Sequence, residues 1–292
     1  MPEILGRNVD LAHHPHGSNV YSKLNDADVA SDPARATLIQ EIAGEYLVWR
    51  DDSAAIKTED EPRFVEAQMN LYERYRNVLD EPRTDVFDSR GALQPSALEE
   101  FCYLLFAPLL RSVSTELAIG HFEVYQGMYF SAQDFRDFAT LPTARYPVGN
   151  LDFVIGKPLT SRIESDQAQS EARIVVPAVA VECKTYLDRP RWIESDVLAT
   201  RIKAGFPRCL YLVISEFLKL DLSKVDVIGS RVDHVYVFRR EQNVDRRVRR
   251  KGGTSLTPLH FPAVYDFYGR VKEHLTARWS AAEDWQTSGI IK

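Results

Sequence analysis

Val175-Val176-Pro177-Ala178-Val179-Ala180-Val181-Glu182-Cys183-Lys184 is an apolar run that ends in a carboxylate and an ammonium. An unbroken run of small and β-branched apolar residues reads as a strand buried on both faces. Successive side chains alternate across the pleat, so Val176, Ala178, Ala180, Glu182 and Lys184 share one face and Cys183 points the other way. Ionised groups at the edge of a core are costly to desolvate and persist where they are paired, bound to metal or catalytic. A strand end that simply reaches solvent is the bland alternative. The preferred reading is a strand that presents Glu182 and Lys184 to a metal ion and a water.

Working outward, Pro147-Val148-Gly149-Asn150 reads as a turn ahead of a short apolar strand that opens with Asp152. The polar stretch Lys157 to Arg173 reads as a long hairpin loop, which sets Asp152 beside Glu182 on the neighbouring strand. Downstream, Asp188 and Pro190 open a helix to about Ala204, which Gly205 and Pro207 end. Strands follow at Cys209 to Ser215 and His234 to Phe238, then a helix from about Ala263 to Trp285.

Upstream, Ser96 and Glu99 form a capping box ahead of a helix whose buried stripe is Leu98, Phe101, Cys102, Leu105 and Leu109. Glu99 and Glu100 lie in its first turn, where carboxylates also complement the helix dipole. His121 to Phe130 is strand-like. Apolar residues at helical spacing predict two amphipathic helices, Ala34 to Arg50 and Phe64 to Leu79, and residues 1 to 33 read as an irregular arm. His13, His14 and His16 invite a metal tract, but no second cluster of ligands accompanies them. The expectation is an α/β fold: a mixed β-sheet core flanked by helices, with residues 1–94 as an arm and helical elaboration and residues 95–292 as the main domain.

Composition narrows the function classes. With 292 residues, 45% hydrophobic and 27% charged, the chain is globular rather than disordered. No apolar run is long enough to span a bilayer and the N-terminus lacks the order of a signal peptide, so no membrane partner and a cytoplasmic location are expected. Cys102, Cys183 and Cys209 lack paired spacing, which argues against a zinc site or a disulfide framework. The net charge of -6 conceals an asymmetry: residues 1 to 100 hold 20 acidic against 10 basic side chains, and the remainder holds 22 against 26. Seven of the basic residues, Arg239, Arg240, Arg246, Arg247, Arg249, Arg250 and Lys251, fall in one run of thirteen. Such a run is either a solvated loop or strand edge or an arm that contacts phosphates.

Asp152, the strand Val175 to Val181 and Glu182-Cys183-Lys184 together resemble the PD-(D/E)XK nuclease superfamily. Leu98-Glu99-Glu100-Phe101 with Val181-Glu182-Cys183-Lys184-Thr185-Tyr186-Leu187-Asp188 looks more narrowly like type II restriction endonucleases. Glu182-x-Lys184 is the one Asp/Glu-x-Lys in the chain. The proline of the superfamily pattern is missing directly before Asp152; Asn150 and Leu151 stand there.

The resemblance implies a restriction-endonuclease-like fold and magnesium-dependent, site-specific hydrolysis of double-stranded DNA. It implies that Asp152 and Glu182 bind the metal and that Lys184 stands by the attacking water. A helical glutamate completes the set, Glu99 in preference to Glu100. Oxygen ligands select a hard ion such as Mg2+. Lys157, Arg189, Arg191 and the run from Arg239 to Lys251 are the candidate DNA contacts, with Arg201 and Lys203 beside them. A duplex has two strands to cut, which suggests a homodimer. The alternatives are a nuclease of the same superfamily acting in repair, at junctions or on modified DNA, and a catalytically inactive DNA-binding subunit. There is no Gly-x-Ser-x-Gly elbow, and Lys251-Gly252-Gly253-Thr254 lacks the spacing of a phosphate-binding loop.

Overall fold

The computed structural model describes residues 2–12, 14–87, 93–165, 169–252, 256–277 and 279, with backbone alone for 243, 247, 250 and 251. In chain order, a two-residue ladder of β1 (Glu3–Ile4) and β2 (Arg7–Asn8) leads to α1 (Pro15–Leu24), α2 (Ala27–Ala30), α3 (Pro33–Ala55), α4 (Glu61–Asp80) and α5 (Leu93–Val113). Then come β3 (Ala118–Tyr125), β4 (Tyr129–Ser131), α6 (Phe135–Thr140), β5 (Thr143–Arg145), β6 (Val148–Glu164) and β7 (Gln169–Leu187). The chain continues through α7 (Arg189–Gly205), β8 (Leu210–Leu218), β9 (His234–Val237), α8 (Asn243–Lys251) and α9 (Phe261–Thr276).

The central sheet runs β3-β6-β7-β8-β9. Its first three strands are antiparallel neighbours, and β7, β8 and β9 are parallel. The crossover from β7 to β8 is α7, capped by Asp188, whose side chain accepts from Arg191 N as the sequence predicts. One face of the sheet, with Phe153, Ile155, Val179, Val181 and Cys183, packs into a core that takes in α5, α9 and the aromatic residues Tyr46, Trp49 and Tyr72 of α3 and α4. The other face, with Leu151, Val154, Ala180 and Val213, packs on Trp192, Ala199 and Ile202 of α7. The expected mixed sheet between helices is the fold observed.

Several local expectations are corrected. The N-terminal arm is helical over α1 and α2, because His16, Gly17 and Val20 are buried against the rest of the chain. Ser96 lies inside the helix rather than at its cap: α5 starts a turn earlier, at buried Leu93, and the Ser96 hydroxyl meets His16 Nδ1 at 2.9 Å and donates to Leu93 O at 3.3 Å. Among the described histidines, His16 is bonded to Ser96 and Tyr75 and His14 to Glu100; His13 lies outside the described residues. Within the basic run residues 243–251 form helix α8, while Arg239 and Arg240 stand in the bend after β9. The last helix ends at Thr276, and Trp285 lies outside the described residues, as do Gly253, Thr254 and Ser255.

The largest correction concerns Lys157 to Arg173. It is not a loop: β6 and β7 stay paired from Phe153↔Val181 to Glu164↔Gln169. Half-exposed polar residues alternating along a ribbon satisfy the backbone as well as a buried strand does. The ladder shifts register between Ile155 and Gly156. A Cβ on Gly156 would stand 2.8 Å from the Val176 carbonyl oxygen and 3.3 Å from Pro177 Cα, both backbone. Gly156→Ala is therefore expected to destabilise the protein by about 1–3 kcal/mol, read as a lowered urea midpoint at unchanged slope; an unshifted midpoint would show that the bulge relaxes freely.

Candidate active site

Glu182 and Lys184 leave β7 on one face, and Cys183 leaves it on the other. The thiol of Cys183 is buried against Cys102 of α5, so burial first and its contact with Cys102 second push it well above the usual thiol range. Cys102 and Glu99 are three residues apart on α5 and so share a helix face. The packing of Cys102 on Cys183 therefore fixes α5 with Glu99 within reach of the charges of Asp152, Lys184 and Glu182.

Asp152 comes from β6, next to the Phe153↔Val181 pair. Its Oδ2 accepts from the Cys183 backbone N–H at 2.7 Å and from Lys184 Nζ at 3.0 Å. Lys184 Nζ also pairs with Glu182 Oε2. One ammonium thus lies between two carboxylates, and Glu99 is the third carboxyl in the cluster. Burial and the charge of Asp152 push Glu99 up to about 8, against the opposing pull of Lys184. Burial and Asp152 raise Glu182 as well, and Lys184 opposes them. Burial would lower Lys184, but Asp152 and Glu182 outweigh it and hold the ammonium above its ordinary range. His121 Nδ1 stands 4.0 Å from Glu99 Oε2, a neighbour that sequence reasoning missed and that no spacing signals. Among the described residues, no three His, Cys, Asp or Glu side chains already stand close enough together to hold a metal ion.

Glu100 points elsewhere. Fully buried, its carboxylate accepts from Gly17 N at 3.0 Å and Tyr46 OH at 2.8 Å, and pairs with His14 Nδ1 at 3.0 Å. Burial acts to raise it, and the contacts with His14, His16 and Gly17 outweigh that and leave it lowered. The two adjacent glutamates thus divide their tasks, Glu99 at the charged cluster and Glu100 tying α1 and α3 to α5.

The basic candidates divide too. Arg189 and Arg240 are exposed. Arg191 lies over the Tyr186 ring at 4.2 Å and pairs with Asp188 at 3.0 Å. Lys157 pairs with Glu116 at the surface, and Lys203 with Asp233. Arg239 is withdrawn from any DNA-facing surface: it is fully buried and bonded to Glu216 and Glu73. Arg246 is likewise buried, between Asp80 and Gln94, and Arg249 is turned onto Glu241. A count of charge in sequence cannot separate Arg239 and Arg246 from solvated arginines, because Glu73, which pairs with Arg239, and Asp80, which pairs with Arg246, each lie 166 residues away. Arg247, Arg250 and Lys251 lie on the α8 backbone, and their side chains are outside the described set.

No helix among the described residues is long and apolar enough to cross a membrane. No curated protein matches this sequence. The solved native BbvCI A2B2 tetramer, at low resolution, contains a chain similar in fold, with a TM-score of 0.69 and 17% identity over 91% of this chain and 97% of that one. Residues 92–265, more than half of the sequence and including α5, β6 and β7, match the Bpu10I restriction endonuclease family. The chain belongs to that family, and with it to the type II restriction endonucleases, which are site-specific deoxyribonucleases.

Proposed function

We propose that the chain hydrolyses phosphodiester bonds in double-stranded DNA at a defined sequence, with magnesium as its cofactor. The observation that carries this reading is the convergence of Asp152, Glu182 and Lys184 from adjoining strands with Glu99 turned toward them from α5. The donor set fits a hard divalent cation: all its ligands are carboxyl oxygens, and the single ammonium they share leaves surplus negative charge that raises Glu99 and Glu182. Asp152, Glu182 and Glu99 would hold the ion. When bound, it would supply Lewis-acid stabilisation to the charge that builds on the scissile phosphate and the leaving oxygen.

The chain's own groups do the rest. The Cys183 backbone N–H fixes the Asp152 carboxylate, and the rigid β6–β7 pair fixes the spacing of the acids. Lys184 is held as a cation in the free protein, which suits it to orient the attacking water and to meet developing negative charge rather than to accept a proton. Lys157, Arg189, Arg191 and Arg240 reach the surface and would contact phosphates, with Arg247, Arg250 and Lys251 of α8. Residues 95–292 form the catalytic unit, and residues 1–94 elaborate it.

One site cuts one strand, so two chains must act on a duplex. A homodimer is the simpler arrangement; the A2B2 make-up of the BbvCI assembly supports pairing with a different subunit instead. Digestion of a sequenced plasmid with magnesium, followed by mapping of fragment ends, tests the reading. Discrete fragments with a shared end sequence are expected. A uniform smear would remove the site specificity, and an uncut plasmid with stoichiometric binding would favour an inactive DNA-binding subunit.

A further inference from the structure

Between β3 and β6 the chain leaves the central sheet and forms a separate ribbon, β4 paired with β5, with α6 at its tip. This insertion has almost no core. No residue of α6 is buried, and Ala144 is the one buried residue of β4 and β5. Its large apolar side chains face water instead: Phe135 is 81% exposed, Phe138 58%, Tyr129 55% and Phe130 50%. A two-stranded ribbon has little stability of its own, and one that spends its aromatic residues on the surface is built to be covered.

The charges in the ribbon indicate what covers it. Its two acids are turned onto backbone amides: Asp134 accepts from Asp137 N at 2.9 Å, and Asp137 accepts from Gln133 N at 3.0 Å. Its two arginines, Arg136 and Arg145, are exposed, with Arg145 laid on Ser131 at 3.3 Å. The outward surface therefore offers aromatic rings and two guanidinium groups on an element of no net charge, groups that can pack on bases and sugars and pair with phosphates. The base of the ribbon is closed by Gln126 N donating to Pro147 O, five residues before Asp152. Five residues of strand span at most about 17 Å, or about five base pairs of B-form rise.

We propose that residues 126–147 are a DNA-contacting ribbon that packs Phe135 and Phe138 into a groove of the duplex bound at Asp152. The proposal rests on the nuclease reading above. It also accounts for an apolar, near-neutral element at the sheet end that carries the carboxylates, which a phosphate-only contact surface would not need.

The test compares wild-type protein with F135S/F138S and R136Q/R145Q, measuring affinity for a cleavable duplex without metal, cleavage with magnesium, and mass by light scattering. None of these side chains is buried, so the variants should melt at the wild-type temperature. F135S/F138S is expected to bind at least tenfold more weakly at unchanged mass. R136Q/R145Q should also bind more weakly and show a shallower dependence on salt. Unchanged affinity in F135S/F138S would overturn the proposal, and so would a fall in mass, which would make the ribbon a contact between subunits. Wild-type protein that neither binds nor cuts duplex DNA would sink the nuclease reading together with this one; wild type that binds, beside variants that bind equally well, sinks this one alone.

Discussion

Lys184→Ala and Asp152→Asn are each expected to slow DNA cleavage by at least about 1,000-fold while leaving duplex affinity within about threefold. Among the described residues Lys184 is the one cation in contact with Asp152 and Glu182, so its loss takes away the group that would orient water and meet charge in the attack. Asp152→Asn keeps a carbonyl oxygen to accept from the Cys183 N–H now 2.7 Å from Oδ2, so the strand pairing survives while the charge is lost. The two variants should part company in stability. Removing Lys184 leaves three carboxyls without a shared cation, and the melting temperature should fall. Removing the Asp152 charge relieves the repulsion that raises Glu99 and Glu182, so the melting temperature should hold or rise. Opposite stability shifts with a common loss of cleavage are a signature that general misfolding does not produce. Either purified variant cutting at the wild-type rate would sink the assignment.

Those residues were legible in the sequence because their signals are local. An apolar run broken by Glu182-x-Lys184 needs only strand alternation to set both charges on one face, and the α7 cap at Asp188 needs only its own turn. Glu99 was half legible: helical spacing placed it in the right turn, but the choice between Glu99 and Glu100 depended on Cys102 meeting Cys183 and on Gly17 and Tyr46 meeting Glu100. The capping box at Ser96 failed for the same reason, since its hydroxyl is taken by His16, 80 residues earlier. Lys157 to Arg173 looked like a loop because a half-exposed ribbon and a loop share a polar composition, and what separates them is pairing. The basic run misled in its inward half. Arg239 and Arg246 belong to the interior, and nothing near them in sequence announces their partners.

Those partners carry the second large effect. Glu216, fully buried on β8, accepts from Tyr72 OH at 2.7 Å, Arg76 Nε at 2.7 Å and Arg239 Nε at 3.3 Å, joining α4 and the chain after β9 to the sheet. Glu216→Gln keeps the shape and leaves Arg76 and Arg239 as buried cations short of a counter-charge, a loss expected to cost about 3–5 kcal/mol and to lower the melting temperature by about 10 °C. Replacing all three by apolar residues of similar volume, as in E216L/R76M/R239M, should recover most of that loss, because a buried pair contributes little net stability once its desolvation is counted.

The pH dependence follows from the same contacts. Burial acts to raise Glu216, and Arg76 and Arg239 outweigh it and hold it at about 2, below the ordinary 4.5. Its contribution is complete above about pH 4.5 and is lost as pH falls through about 2, since the unfolded chain takes up that proton first. Buried His16, lowered to about 4 chiefly by desolvation, adds an earlier loss, because the unfolded chain protonates it below about 6.5 while the folded chain resists. Wild-type stability should therefore decline in two stages, from about pH 6.5 and again below about 4.5. The gap in melting temperature between wild type and Glu216→Gln should stay constant through the first stage and close through the second. A gap that already closes between pH 6.5 and 5 would mean that Glu216 is not the buried anion on which Arg76 and Arg239 depend.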